Sequence, residues 1–453
     1  MSRLRYAHRV LGIEQGFRLL ACAFAAACDG IWTSIRGSMA PADVRRANRD
    51  AFRERTVARV VRTLGTLKGP FAKAGQFAAN RHDVLPPFAT EALASLRDRV
   101  PPIPPSQLRS TLEAELGRGL TDLFTEFDPE PLGAASIAQV HRATLPDGTA
   151  VVVKVQYPWL EASLAADLVI LRVLLALWSR VGGPSRSARA RLHREFETGL
   201  REELDFAREA RMAGEIGANL SRDPQIVVPR VIEGYSSGRV LTVEYHAAVA
   251  ISDRCALDRL QVTPRTVLEI LIRAYTKQMF VDGLFHADPH PGNLFILDEP
   301  GARERPRLLF VDFGLSKRLD PQLRREIRRG IYALMQRDLD AFIAAMDRMK
   351  MVESGHRNAV RTAVASMFER IGGGLEIAGS RVLPLKDEAK ALLQTTPGLQ
   401  LPNDLLLYAK TLAYVFALGA ELDPDVDLMR LSLPALLRFL AEPTDEKSGS
   451  ARR

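Results

Sequence analysis

Two short apolar runs in the second half of the chain constrain its fold more than any other feature of the sequence. NLFIL occupies residues 293–297 and RLLFVDF residues 307–313. Apolar runs of this length, bounded by polar and turn-forming residues, indicate strands. We predict that the two strands form a hairpin. Such a hairpin would return Asp312 to a position close to Asn293.

Polar residues flank this predicted hairpin. HADPHPGN (286–293) places Asp288 five residues before Asn293, and VDFG (311–314) contains Asp312. Mg²⁺ prefers oxygen ligands and keeps several waters, so Asn293 and Asp312 suffice to hold it on a polyphosphate. Asp288 is then free to accept the proton of a hydroxyl group or water. Gly314 allows the backbone to turn directly after the metal ligand.

An alternative interpretation is a metal hydrolase that uses the H-x-D-x-H spacing of His286, Asp288 and His290. Such spacing suits Zn²⁺ or Fe²⁺. However, the other histidines form no second cluster, and this interpretation leaves VDFG unexplained. We therefore favour a hydrogen-bonded structural role for His286.

The order of elements indicates the fold class. The first hundred residues have a helical composition and end at the proline-rich linker PPIPPSQ (101–107). Strand-like runs then follow, two of them joined by the turn signal PDG (146–148). A long polar helix is expected over 188–220, then two further strands of the same lobe at 225–233 and 239–245. From residue 263 onward the pattern is mostly helical.

This order predicts an α+β, bilobal protein-kinase-like fold with a small antiparallel-sheet N-lobe, a helical C-lobe and an N-terminal helical extension. Kinase-type phosphotransferases bind ATP between such lobes. The predicted segments are an N-terminal helical segment, a helical extension, an N-lobe with a helical insert, a C-lobe and a disordered tail, at 1–60, 61–120, 121–246, 247–442 and 443–453.

A lysine on the third strand supports this class. Lys154 lies in VVVKVQ, and burying it among valines is costly without a partner. The polar helix offers Glu203, Asp205 and Glu209 as candidate partners. Lysine, helix carboxylate, D-x-x-x-x-N and DFG together form the protein-kinase signature set. Each element alone is weak, but their order and spacing are specific.

Two features depart from ordinary kinases. The loop before the second strand is PLGAASIAQVH, in which Ala134, Ala135 and Ser136 follow a single glycine. Their Cβ atoms narrow the approach of backbone N–H groups to a phosphate. Further upstream, Lys73 and Gln76 lie three residues apart in KAGQ, on one face of a predicted helix.

With these motifs, the chain resembles the AarF/UbiB (ADCK) family of atypical kinases over about residues 50–440. KAGQ, GAAS, ELD (203–205), HADPHPGN and VDFG all match motifs of that family. Two departures are Ala138, where the family usually has glycine, and EYHAAVAISD (244–253), which lacks the glycine expected after the hinge.

The resemblance implies a role for each site residue. Lys154 would pair with Glu209, and Lys73 and Gln76 would lie over the nucleotide cleft, with Lys73 near Glu203 and Asp205. Ala134, Ala135 and Ser136 would contact the nucleotide, and Glu244 and Tyr245 would border the adenine.

The family is regarded as ATPases or as small-molecule or lipid kinases that support prenyl-quinone biosynthesis. We therefore expect Mg²⁺ with ATP or ADP, and a lipid or quinone precursor as partner. Two alternatives remain: a nucleotide-gated scaffold that transfers no phosphate, and a true protein serine/threonine kinase.

Composition bears on the partners and the compartment. The net charge is +8, but no basic run interleaved with aromatics appears, so nucleic acid is not expected. The three cysteines form no CxxC pair and fit a reducing compartment. FRLLACAFAAACDGIW (17–32) predicts an amphipathic helix packed on the protein or on a membrane surface. We expect a cytoplasmic protein without a transmembrane anchor, peripheral where it meets a membrane.

Overall fold

The computed structural model describes residues 41–66, 103–135, 137–160, 186–370 and 395–441, residue 392, and helical residues within 21–35 and within 164–172. Three predicted site residues, Lys73, Gln76 and Ser136, lie outside the described residues, as does the predicted tail.

The helices whose bounds are fully described are α1 (Ala42–Thr66), α2 (Pro105–Leu116), α3 (Leu120–Leu123), α4 (Arg186–Leu204), α5 (Phe206–Leu220), α6 (Arg254–Arg259), α7 (Pro264–Thr276), α8 (Pro321–Gln336), α9 (Leu339–Arg348), α10 (Arg357–Arg370), α11 (Asn403–Leu422) and α12 (Leu428–Ala441).

The described strands are β1 (Glu126–Phe127), β2 (Gly133–Ala134), β3 (Ala138–Thr144), β4 (Ala150–Gln156), β5 (Ile226–Val227), β6 (Val240–Glu244), β7 (Ala248–Ala250), β8 (Leu284–Phe285), β9 (Leu294–Leu297), β10 (Leu308–Phe310) and β11 (Lys317–Arg318).

The chain divides into two compact units. Residues 1–207 with 232–244 form one unit, and residues 208–231 with 245–453 form the other. The first unit contains the antiparallel sheet, and the second contains most of the long helices. The predicted segment boundaries stay predictions.

The sheet of the first unit has the order β1-β3-β4-β6, with β2 paired to β3 and every pairing antiparallel. The predicted PDG turn joins β3 to β4. Gly148 adopts φ +84° and donates its N–H to the carbonyl of Leu145 at 2.9 Å. Only glycine adopts this left-handed backbone freely, so local chemistry fixes the hairpin.

The second unit contains a four-stranded sheet of order β5-β10-β9-β7. Strand β5 pairs in parallel with β10. The prediction that 225–233 adds a strand to the first, antiparallel sheet is therefore wrong. A short apolar run identifies a strand, but its partner is chosen by contacts far away in the sequence.

The predicted single helix over 188–220 is also interrupted. It breaks at Asp205, between α4 and α5. The N–H of Phe206 donates to the carbonyl of Gly238 at 3.0 Å instead of continuing the helical ladder. A tertiary hydrogen bond thus divides a segment whose composition is helical throughout.

The core of the second unit gathers around α7, α11 and α12. Helix α11 is the one described helix that is long and apolar enough, by length and composition, to cross a membrane. Its residues Tyr408, Val415 and Phe416 are buried in this core. The core accounts for part of its apolar surface: 39% of its apolar window is buried.

A series of buried hydrogen bonds connects Ile103, in the proline-rich linker, to the sheet of the first unit. The N–H of Ile103 donates to Oε1 of Gln139 at 2.9 Å, so Nε2 of Gln139 faces Nε2 of His141 at 2.7 Å. Because the amide nitrogen donates, His141 accepts there and carries its proton on Nδ1, which bonds the carbonyl of Asp128 at 2.9 Å. Burial lowers the pKa of His141, and the hydrogen bond to Asp128 and its charge oppose this in part.

We predict that His141 makes the fold acid-sensitive. Unfolded histidine takes up a proton near pH 6.5, whereas folded His141 resists protonation to lower pH. The unfolded state therefore binds more protons, and the free energy of unfolding falls as pH decreases from about 6.5 through the lowered pKa. Urea denaturation from about pH 8 to about pH 5 should show this decrease. It should be smaller in His141→Gln and unchanged in His356→Gln, whose histidine is exposed; equal pH slopes in all three proteins would contradict the prediction.

Candidate active site

The centre of the site is a hydrogen-bonded pair of side chains. Asn293 donates from Nδ2 to Oδ2 of Asp288 at 2.8 Å and to its carbonyl at 3.3 Å. Both side chains are half-buried. This contact fixes the Asp288 carboxylate and leaves the Asn293 amide oxygen, Oδ1, as the atom suited to a metal ion.

The predicted hairpin of β9 and β10 is confirmed and places Asp312 at the same end of the sheet. Leu308, Leu309 and Phe310 pair antiparallel with Ile296, Phe295 and Leu294, and the N–H of Val311 donates to the carbonyl of Asn293 at 3.0 Å. Asp312 follows directly, with φ +61° and an exposed side chain. Its Oδ1 accepts a long 3.4 Å hydrogen bond from the N–H of Gly314.

His286 is a structural histidine, as predicted. Its side chain is 1% exposed, and Nε2 lies 2.8 Å from the carbonyl of Asp312 and 3.1 Å from that of Val311. Carbonyls only accept, so Nε2 carries the proton and Nδ1 accepts from the hydroxyl of Tyr275 at 3.1 Å. Burial, then the charge of Asp288, raises the pKa of Tyr275 well above its usual range, so Tyr275 stays a donor.

These bonds bear on the metal-hydrolase alternative. Both ring nitrogens of His286 are engaged by protein groups, and Nδ1 of His290 accepts the N–H of Gly292 at 3.0 Å. Over the part of the chain that is described, no group of three or more His, Cys, Asp or Glu side chains is placed to hold a metal ion.

Lys154 lies on β4 in the first unit, opposite Val140 on β3 and Leu241 on β6. The neighbouring valines 153 and 155 are fully buried on the other face, while Lys154 is half-buried. Its Nζ lies 5.1 Å from the centroid of the Phe206 ring, within the range of a cation–π contact. The lysine is therefore held at the first residue of α5.

Glu209 lies on α5, three residues after Phe206 and on the same face of the helix. It belongs to the second unit and is 2% exposed. The predicted pairing of Lys154 with Glu209 stays a prediction. Glu203 lies in the last turn of α4 and Asp205 at the break between helices, and both are half-buried.

Two hydrogen bonds hold the described residues of the alanine-rich loop. Ala134 ends β2, and the N–H of Ala135 donates to the carbonyl of Ala138 at 2.8 Å. The buried hydroxyl of Tyr157 donates to the carbonyl of Ala135 at 3.0 Å. Ala135 is thus held both by the backbone and by the Tyr157 side chain, and contact of the loop with a nucleotide stays a prediction.

The remaining predicted nucleotide residues lie at the end of β6. Glu244 is its last residue and Tyr245 the next, and both are half-buried. The unit boundary falls between them. Their predicted position beside adenine also stays a prediction.

Sequence reasoning missed several residues that hold the HADPHPGN loop (286–293). Gln278, fully buried, accepts the N–H of His286 at 2.9 Å. The hydroxyl of Thr411 on α11 is shared between the carbonyls of Leu407 at 2.8 Å and Ala287 at 3.2 Å. The ring of Tyr414 lies 6.5 Å from that of His290. Burial, then the charges of Asp288 and Glu421, raises the pKa of Tyr414. Of these residues, only Gln278 has a signal in the sequence: it is a glutamine in the otherwise apolar stretch 278–281.

Comparison with known proteins identifies the family. Residues 95–346, more than half of the chain, match the ABC1 atypical kinase-like domain. A relative from Marinobacter nauticus named Probable protein kinase UbiB is 33% identical over 391 residues, which covers 81% of this chain and 67% of that protein. An Arabidopsis thaliana relative, Activity of BC1 complex kinase 8, chloroplastic, is 33% identical over 82% of this chain and 52% of its own length.

The chain therefore belongs to the ABC1 atypical kinase-like family, which confirms the predicted resemblance. A solved structure from Mycobacterium tuberculosis, the complex of Rv3197 with erythromycin, matches with a TM-score of 0.51. It covers 84% of this chain and 95% of that one at 22% identity. This likeness concerns the fold alone, and it supports the predicted α+β, kinase-like class.

We predict that Gly314→Ala destabilises the protein. A Cβ atom there would lie 3.3 Å from Oδ1 of Asp312 and 3.4 Å from Oε2 of Glu209, so the Asp312 carboxylate would have to move by a few tenths of an ångström. Overpacking of this kind typically costs about 1–3 kcal/mol. Gly214→Ala on α5 is the matched control, because its Cβ would meet nothing within 4 Å and helix propensity favours it by up to about 1 kcal/mol. Urea denaturation should show Gly314→Ala destabilised and Gly214→Ala stabilised; equal stability of the two variants would argue against the crowding.

Proposed function

We propose that this chain is an atypical kinase-like enzyme that binds ATP with Mg²⁺ and transfers the terminal phosphoryl group to water or to a small or lipid acceptor. The observation that carries the proposal is the 2.8 Å bond between Asp288 and Asn293, together with the backbone bond from Val311 to Asn293. These bonds support a proton acceptor and two oxygen ligands gathered at one end of a sheet.

The donor set fits magnesium. Asn293 offers an amide oxygen, because its nitrogen is turned toward Asp288, and Asp312 offers an exposed carboxylate. One or two such ligands suffice, because Mg²⁺ keeps waters and binds phosphate oxygens as well. When bound, the ion would neutralise charge on the phosphates. Asp288 would take the proton of the acceptor hydroxyl, and Lys154 would position the phosphates.

A short segment after the DFG motif disfavours the protein-kinase alternative. Six residues, 315–320, separate DFG from the first residue of α8. In protein kinases, an activation loop that carries the phosphosite follows DFG. Here Lys317 and Arg318 instead pair as β11 with Phe285 and Leu284 of β8. This arrangement favours a small or lipid acceptor over a peptide.

A role in prenyl-quinone or lipid metabolism is proposed from the family and from the name of the Marinobacter relative. The scaffold alternative requires no transfer. It is disfavoured because Asp288, Asn293 and Asp312 are all present, and a degenerate site usually loses one of them.

The test of the proposal uses purified full-length protein with ATP and Mg²⁺. Free phosphate release and phosphate incorporation into protein are measured side by side. The assay is run with and without anionic vesicles and a phenolic quinone precursor. Release without incorporation supports the ATPase or small-acceptor assignment. Incorporation into protein supports a protein kinase. The absence of both release and incorporation supports the scaffold.

We predict that Asp288→Asn abolishes ATP turnover but keeps nucleotide binding. The amide cannot accept the acceptor proton, while the contacts to the nucleotide stay in place. Phosphate release and binding of a fluorescent ATP analogue are measured on the same preparation. Asp425→Asn, an exposed aspartate in the loop before α12, is the control and should behave as the unaltered protein. Full turnover in Asp288→Asn would refute the catalytic role.

We also propose peripheral contact with an anionic membrane through the helical residues described within 21–35. One face of this segment packs on α1: Asp29 pairs with Arg55 at 3.2 Å and Arg59 at 3.7 Å. The same segment also carries large apolar side chains that are exposed. The most exposed are Phe24, Ile31, Trp32 and Ile35, with exposed fractions of 72%, 62%, 55% and 59%. An apolar stripe containing tryptophan on a basic chain is typical of an interfacial helix.

We predict that Trp32→Ser with Ile35→Ser weakens vesicle binding. Each large side chain that leaves water contributes about 1.5–3 kcal/mol, so the double variant should lose at least about tenfold in affinity. Cosedimentation with phosphatidylglycerol vesicles measures this. Tyr332→Ser with Met335→Ser, an equally spaced exposed pair on α8, is the control. An equal loss of vesicle affinity in both double variants would contradict the assignment of membrane contact to Trp32 and Ile35.

A further inference from the structure

The DFG segment is held from two sides by side chains that belong to other elements. From the HADPHPGN loop (286–293), Nε2 of His286 donates to the carbonyl of Asp312 at 2.8 Å. From α5, Arg208 donates through Nη1 to the carbonyl of Gly314 at 3.2 Å and through Nη2 to that of Ser316 at 2.8 Å. Backbone carbonyls on both sides of the DFG turn are therefore fixed.

Helix α5 runs along this segment for two turns. Arg208 and Glu215 are seven residues apart and so lie on one face of the helix. Glu215 forms an ion pair with Arg318, two residues beyond Ser316. That pair is exposed and contributes little to stability, but it shows that the contact continues past the motif.

The arginine compensates for a weak point in the metal-binding turn. Asp312 has a left-handed backbone, which is uncommon for a residue with a side chain. The hydrogen bond from the N–H of Gly314 to Oδ1 of Asp312 is long, at 3.4 Å. A guanidinium group is planar and presents several N–H donors in fixed directions. By donating to the carbonyls of Gly314 and Ser316, Arg208 bonds the chain at two points directly after Asp312.

We propose that Arg208 is a positioning residue that holds Asp312 in its metal-binding orientation and ties the DFG turn to the helix that carries Glu209. The inference rests on the proposed function, because it assigns Asp312 to Mg²⁺. Arg208 does not touch the metal or the nucleotide in this scheme. It acts through the backbone of Gly314 and Ser316. The helix and the metal-binding turn then form one assembled element.

The test measures metal binding directly. Mn²⁺ binding in the presence of a non-hydrolysable ATP analogue is followed by electron paramagnetic resonance for the unaltered protein, Arg208→Ala, Arg208→Lys and Arg211→Ala. Residues that orient a metal ligand typically change metal affinity by about 10–100-fold. We expect a loss in this range for Arg208→Ala, with partial recovery in Arg208→Lys, whose ammonium can still donate to one carbonyl. Arg211→Ala, an exposed arginine on the same helix, should bind Mn²⁺ normally.

Nucleotide affinity measured with EDTA separates positioning from general damage. It should be unchanged in Arg208→Ala if the residue acts on the metal-binding turn. An equal loss with and without metal, or Mn²⁺ affinity equal to that of the unaltered protein, would overturn the inference. If Arg208→Ala does not fold, Arg208→Lys decides: unchanged Mn²⁺ affinity in that variant counts against the proposal, and a selective loss supports it.

Asp312→Asn distinguishes a failure of this inference from a failure of the proposed function. If Asp312→Asn still binds Mn²⁺ normally with the nucleotide analogue, the metal site itself is wrong. If Asp312→Asn loses Mn²⁺ while Arg208→Ala keeps it, only the role of Arg208 is wrong.

Discussion

The antiparallel pairing of β9 with β10 is the constraint on which the site depends. Its register places the N–H of Val311 on the carbonyl of Asn293 and so brings the two ends of a 19-residue stretch together. A slip of one residue would turn every side chain of the strand to the other face. Leu294, Ile296, Leu308 and Phe310 pack in the main core of the second unit, whereas Leu297 and Leu309 pack with Val227 in a separate cluster. A slip would exchange these two fitted sets of side chains and is therefore opposed. Packing of apolar residues thus fixes the distance between polar ones.

Helix α5 is the second organising element. It carries Glu209 in its first turn, and its neighbour Arg208 bonds the carbonyls of the DFG turn. In protein kinases, regulation controls the position of the helix that carries the corresponding glutamate, and phosphorylation of the activation loop is part of that control. Here the segment after DFG is six residues long and pairs with β8. A short, paired segment has little freedom to reorganise, in contrast to the activation loop of a protein kinase.

Local chemistry explains which predictions were confirmed. The PDG turn fixes its hairpin through Gly148, and the apolar runs flanking 298–306 identify β9 and β10. The structural role of His286 was also confirmed. Two predictions failed for one physical reason. Strand β5 joins the sheet of the second unit because it pairs with β10. The polar helix breaks at Asp205 because the N–H of Phe206 bonds the carbonyl of Gly238. Both partners lie far away in the sequence.

The sequence by itself determined the family and the fold class and singled out Asp288, Asn293 and Asp312 as candidate site residues, because each of these depends on short motifs and on periodicity within one element. The tertiary structure alone decided which side chains hold those residues in place. Arg208 lies 106 residues before the carbonyl of Gly314, and Thr411 lies 124 residues after that of Ala287. A side chain that bonds a distant backbone carbonyl follows no spacing rule, since the carbonyl is common to every residue and only folding selects one.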